Sequence, residues 1–232
     1  HFNMNNKIDP QNMFESIIRF PNNIEVALKI VSDFSIKNNY KKINNVIIAG
    51  MGGSAIGGDI VLALGQNKLK IPLFISRGYK LPNWVNKNTL VICSSYSGNT
   101  EETLSSFDDA LRKNAQICGI TTGGILKEKL SNYKKDKIII PKGLQPRAAL
   151  AYSFIPISKF LKELGILKFE FNIWLNNFLK NIIKFQKIYS LKADKNPTFS
   201  LANNIYNKIP IIYADNSTLS VVATRIKGQI SE

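Results

Sequence analysis

The sequence predicts an α/β fold, a doubly wound parallel five-stranded sheet flanked by helices. Short, branched apolar runs at residues 46–49, 73–76, 90–94, 116–121 and 137–140 alternate with helical stretches, and runs of this kind suit a sheet buried on both faces. Two of the runs open directly onto glycine- or serine-rich loops that lead into helices. Such sheets place their ligands at the carboxyl ends of the strands.

In chain order, His1-Phe2-Asn3 before Met4 reads as a cloning remnant, so the native start is expected at Met4. Residues 4–40 are expected to form an N-terminal helical cap, with apolar positions at helical spacing over 10–38 and Pro21 splitting them into two helices. The sheet domain is expected over 41–165. Within it Leu104, Phe107 and Leu111 follow the spacing of a helix face that covers a sheet. After Pro146 a further helix runs to about Leu164, where Gly165 stops it.

Residues 166–195 read as an amphipathic connecting helix. Over 196–232 a second alternation begins, with a helix near 200–207, a strand at 209–214 and a helix around 219–227. One parallel strand cannot bury either of its faces. This segment is therefore expected to be the start of a second domain, incomplete within the chain.

With 232 residues, 44% of them hydrophobic, the chain can bury a sizeable core. Its apolar runs fall far short of the roughly 20 residues of a membrane helix, so no membrane partner is expected. The net charge of +15 suits an anionic metabolite. Its lysines are scattered rather than gathered into a groove, which argues against a nucleic-acid partner. The two cysteines, Cys93 and Cys118, lie inside strand-like segments and read as reduced core thiols of a cytoplasmic protein. The lone histidine is His1, and no Cys/His cluster suggests a metal.

The first loop, Gly50-Met51-Gly52-Gly53-Ser54-Ala55, brings backbone close to a ligand and aims helix-start N–H groups at an anion. It also satisfies the dinucleotide fingerprint through Gly50, Gly52 and Ala55. An NAD site would want an acidic residue after the second strand, where the sequence has Ser76-Arg77. Arg77 leaves an NADP-dependent oxidoreductase open.

The second loop, Ser95-Tyr96-Ser97-Gly98-Asn99-Thr100, gathers three hydroxyls around a glycine at a helix N-terminus. It contains no lysine, unlike a nucleotide-triphosphate loop. Two readings remain for it: a phosphate cradle, or a capping box of Asn99 and Glu102 with solvated serines.

Together the two loops resemble the sugar isomerase, or SIS, domain. With Thr121-Thr122-Gly123-Gly124, Gly143-Leu144-Gln145-Pro146-Arg147-Ala148-Ala149-Leu150 and the closing run from Arg225 to Glu232, the chain is similar to the bifunctional phosphoglucose/phosphomannose isomerases. The likeness extends over nearly the whole chain from Met4. It implies that Ser95, Ser97 and Thr100 bind the phosphate of a hexose 6-phosphate. Gly53 and Ser54 would contact the sugar near the reacting carbons. Arg147 would stabilise a developing enediolate, a task suited to a fixed guanidinium, and Glu232 would be the catalytic base.

The resemblance further implies no redox cofactor and no metal, a homodimer, and a histidine and a lysine supplied by sequence beyond Glu232. The chain by itself is then expected to be inactive. A non-catalytic sugar-phosphate-binding module of the same fold is the alternative.

Overall fold

A computed structural model of the chain describes residues 9–168, 171–190, 195–216 and 218–231. They fall into two compact units, Asn23–Phe169 and the remainder of the chain.

The first unit begins within a helix, α2 (Phe20–Asp33), which follows α1 (Met13–Ile18). Pro21 occupies the second position of α2, where its missing N–H costs no intrahelical bond. The sheet comprises β1 (Asn45–Ala49), β2 (Leu73–Ser76), β3 (Thr89–Ser95), β4 (Gln116–Thr121) and β5 (Asp136–Ile139). Its order is β2-β1-β3-β4-β5 and every pairing is parallel. Between the strands run α3 (Gly52–Gly65), α4 (Glu101–Arg112) and α5 (Gly124–Asn132). A 3₁₀ turn over Pro146–Ala148 and α6 (Ala151–Glu163) follow β5.

Period-two alternation sends successive side chains to opposite faces. Ile47, Ala49, Val91, Cys93 and Ile117 form one buried cluster with Phe107 and Ala110 of α4 and Leu126 and Leu130 of α5. On the other face Ile48 and Ile75 lie against Gly58 of α3. Both faces being covered, Val46–Ala49 and Leu90–Cys93 are fully buried, as their unbroken apolar runs require. Asp136 ties the chain entering the sheet to β5, its carboxylate accepting the backbone N–H groups of Lys37 (3.1 Å) and Asn38 (2.9 Å).

β1 is flanked by β2 on one side and β3 on the other, so the chain reverses its direction of travel across the sheet between them. Connections from the carboxyl ends of β1 and β3 thus diverge to opposite faces and leave a crevice, the switch point at which open α/β sheets bind ligands.

The second unit contains α1, α7 (Phe171–Tyr189), α8 (Pro197–Ile205) and α9 (Thr218–Ser231). Asp9 caps α1 by accepting the N–H groups of Met13 (2.7 Å) and Phe14 (2.9 Å). Asn196 caps α8 by accepting from Thr198 N–H at 3.0 Å. The expected strand at 209–214 is corrected here: among the described residues it has no ladder partner and no regular structure. Its apolar residues stand in the open, with Ile209 91% and Tyr213 88% exposed. An apolar branched run becomes a strand only when a neighbour accepts its N–H groups.

Candidate functional site

The crevice is framed by three segments. The first follows β1. Gly50 N–H donates to Ser76 O of the neighbouring strand at 3.1 Å, and α3 then begins at Gly52 without a side-chain cap on its exposed amides. Gly53 is needed for closeness: a Cβ there would stand 2.7 Å from the Pro146 carbonyl oxygen. The 3₁₀ turn carrying Arg147 therefore rests directly on the start of α3.

The second segment follows β3. Ser95 is buried, and its Oγ shares a hydrogen bond with Thr100 Oγ1 at 2.8 Å while accepting the Gly98 N–H at 3.0 Å. Ser97 Oγ, on the exposed side of the loop, accepts from Asn99 N–H at 3.2 Å. Gly98 has φ +75°, and a Cβ there would strike the Gly123 carbonyl, so the loop lies flat on the start of α5. α4 begins at Glu101 with Thr100 as N-cap and no side-chain bond to its first amides. Three hydroxyls thus surround a helix start whose first N–H groups have no carbonyl partner within the helix.

The capping-box reading of this loop does not hold. Asn99 Oδ1 accepts the N–H of Ile125 at 3.0 Å and so caps α5 instead of α4. Two further amides of the α5 start are also taken, Leu126 by Gly98 O (2.9 Å) and Lys127 by Gly123 O (3.4 Å). The Asn99 side chain therefore serves α5 and leaves the first amides of α4, beside Ser95, Ser97 and Thr100, without a side-chain cap.

The third segment follows β5. Tyr96 Oη accepts the Leu144 N–H at 3.0 Å. Ser153 Oγ donates to Leu150 O at 3.0 Å, with Gly53 O at 3.3 Å. Gly53, Ser54, Ser94, Tyr96, Pro146 and Ser153 help line a small pocket of about 10 Å³. Burial pushes the Tyr96 phenol up, partly opposed by its bond from Leu144. Burial and the nearby Tyr96 do the same to Tyr152, whose hydroxyl donates to Asn23 Oδ1 at 3.3 Å. Both phenols are neutral donors or acceptors near pH 7.

Curated relatives match this chain over most of its length. The bifunctional phosphoglucose/phosphomannose isomerase of Caldicellulosiruptor bescii is 44% identical over 222 residues, covering 95% of this chain and 65% of that protein. The enzyme of the same name from Aquifex aeolicus is 34% identical, covering 90% of this chain and 64% of that protein. The chain belongs to the bifunctional phosphoglucose/phosphomannose isomerase family. It spans less than two thirds of the length of these relatives. The family model for the bacterial phospho-glucose isomerase C-terminal SIS domain matches residues 194–232. Among solved structures, the C-terminal domain of glucosamine-fructose-6-phosphate aminotransferase from Francisella tularensis superposes with a TM-score of 0.68. At 15% identity it covers 95% of this chain and 66% of that one, a likeness of fold.

Of the residues that the family resemblance selects, Gly53, Ser54, Ser95, Ser97, Thr100 and Arg147 all lie on the three segments framing the crevice. Glu232 lies outside the described residues. Arg77, on which the NADP alternative depends, is held by an ion pair with Asp59 of α3. Burial raises the Asp59 carboxyl more than Arg77 lowers it.

Cys93 and Cys118 are both buried and free. Burial pushes the Cys93 thiol up to about 12 and raises Cys118 as well, which makes them poor nucleophiles. Among the described residues no group of three or more His, Cys, Asp or Glu could hold a metal, and no helix is long and apolar enough to cross a membrane.

Sequence reasoning missed Tyr96 and Ser153. Tyr96 carried one signal, its place between two hydroxyl residues of the loop. Ser153 carried none, because its proximity to Gly53 arises from α3 meeting α6 100 residues along the chain.

Proposed function

We propose that the protein interconverts glucose 6-phosphate, and also mannose 6-phosphate, with fructose 6-phosphate through an enediolate. The observation carrying this reading is the cluster of Ser95, Gly98 and Thr100 at the start of α4. It offers neutral donors and a helix dipole to a phosphate without the lysine that a nucleotide triphosphate would require.

In this reading Ser95, Ser97 and Thr100 turn their hydroxyls toward the phosphate. The sugar extends past Gly53 and Ser54 toward the Arg147 turn. Glu232 removes the proton from the carbon beside the carbonyl and returns it to the neighbouring carbon. Arg147 stabilises the negative charge gathering on oxygen between those two steps. Residues 41–165 form a first SIS domain, 166–195 a connecting helix and 196–232 the start of a second SIS domain, within a cytoplasmic homodimer. The names of the relatives and the family-model match to residues 194–232 support this assignment.

Two measurements test it. Glucose 6-phosphate should raise the melting temperature of the protein while free glucose does not; equal protection by both removes the phosphate cradle. The full product of the gene should turn over fructose 6-phosphate. Phosphate-dependent protection without turnover would instead support a sugar-phosphate-binding module.

A further inference from the structure

We infer that Tyr96 is a positioning residue that latches the turn carrying Arg147 to the phosphate loop. This rests on the proposed isomerase reading of the same site and adds a residue to it.

Tyr96 lies between Ser95 and Ser97, so its backbone belongs to the phosphate loop. Its carbonyl is fixed by the Thr122 N–H at 3.1 Å. Its side chain leaves that loop and accepts the Leu144 N–H at 3.0 Å, across 48 residues of chain. The segment it reaches has left the sheet: Ile140 N–H makes a bond to Thr121 O at 3.0 Å, and the chain then passes through Gly143 at φ +100°. From Gln145 onward it closes on itself, Ala148 N–H donating to Gln145 O and Ala149 N–H to Pro146 O. The Leu144–Tyr96 bond and the seat of Pro146 on Gly53 therefore stand on either side of the short stretch leading into Arg147.

Removing the phenolic oxygen would free one side of that stretch and leave Ser95, Ser97 and Thr100 untouched. The phosphate would still bind, and the guanidinium would lose its fixed relation to the bound sugar. A residue that merely filled space would instead affect stability alone, or binding and turnover alike.

The test uses the full gene product with Tyr96→Phe, followed by fructose 6-phosphate kinetics and inhibition by inorganic phosphate. We expect kcat to fall about 10- to 100-fold, with KM and the phosphate inhibition constant held within about threefold. In an Arg147→Lys background the same change should add little, because the two residues act as one unit. An unchanged kcat, a loss confined to phosphate affinity, or a loss multiplying fully with that of Arg147→Lys would each overturn the latch.

Amide hydrogen exchange supplies a readout independent of catalysis. Leu144 N–H should be protected in the wild-type chain and exchange at least about tenfold faster in Tyr96→Phe; fast exchange in the wild type overturns the latch without any variant. If the wild-type gene product has no isomerase turnover, the isomerase reading fails, and the Leu144 exchange measurement decides the latch.

Discussion

Ser95 Oγ shares a hydrogen bond with Thr100 Oγ1 at 2.8 Å and at the same time accepts the Gly98 N–H at 3.0 Å. One buried hydroxyl thus holds both ends of the loop at the start of α4. Replacing it with Ala leaves the Gly98 N–H without its acceptor, a loss of roughly 1–3 kcal/mol for a buried donor. Ser95→Ala is expected to lower the urea midpoint accordingly and to weaken glucose 6-phosphate binding about tenfold or more. Thermal shift titration checks this, and undiminished protection by glucose 6-phosphate would contradict it.

Gly53 and Gly78 make a matched pair of substitutions. A Cβ at Gly53 would meet the Pro146 carbonyl oxygen at 2.7 Å, whereas one at Gly78 would meet nothing within 4 Å. The obstacle at Gly53 is backbone, which cannot swing aside as a side chain can. Gly53→Ala is expected to cost about 1–3 kcal/mol and to displace the Arg147 turn, while Gly78→Ala stays within about 0.5 kcal/mol. Urea unfolding of the two variants compares them directly.

Asn99 belongs by sequence to α4, but by its hydrogen bond to α5. Asn99→Ala removes an N-cap and should cost about 1 kcal/mol, with exchange protection lost at Ile125. Protection lost at the first turn of α4 instead would restore the capping-box reading.

Much of the fold was legible because a parallel sheet imposes a simple requirement. Strands covered on both faces must be largely apolar, as the central β1 and β3 are, and the runs at 73–76 and 116–121 coincide with β2 and β4 to the residue. The loops were legible because glycine and hydroxyl residues gathered between a strand and a helix start suit close backbone approach and anion binding. What stayed hidden is non-local. The run at 209–214 has the composition of a strand, but a strand is a relation between two segments and composition names only one of them. Asn99 and Tyr96 find their partners 26 and 48 residues away, where no spacing rule reaches. Arg77 looked available for a cofactor phosphate until the fold set Asp59 beside it.

Cys93 predicts a pH dependence of stability. Its side chain is fully buried between β1 and β4, and burial pushes its thiol from the ordinary 9.0 to about 12, with a smaller contribution from Asp108. Between those values the unfolded chain has released the proton and the folded chain has kept it, so the unfolded state is favoured as pH rises. The stability associated with the neutral thiol is fully present below about pH 9 and declines toward pH 12, at a limiting slope of about 1.4 kcal/mol per pH unit. Cys93→Ala should be less stable than the wild type at pH 8 because it opens a small cavity. Its urea midpoint should then fall less steeply from pH 9 to pH 10.5, so that the two curves converge. Parallel curves would show that the thiol does not ionise differently in the folded and unfolded chains.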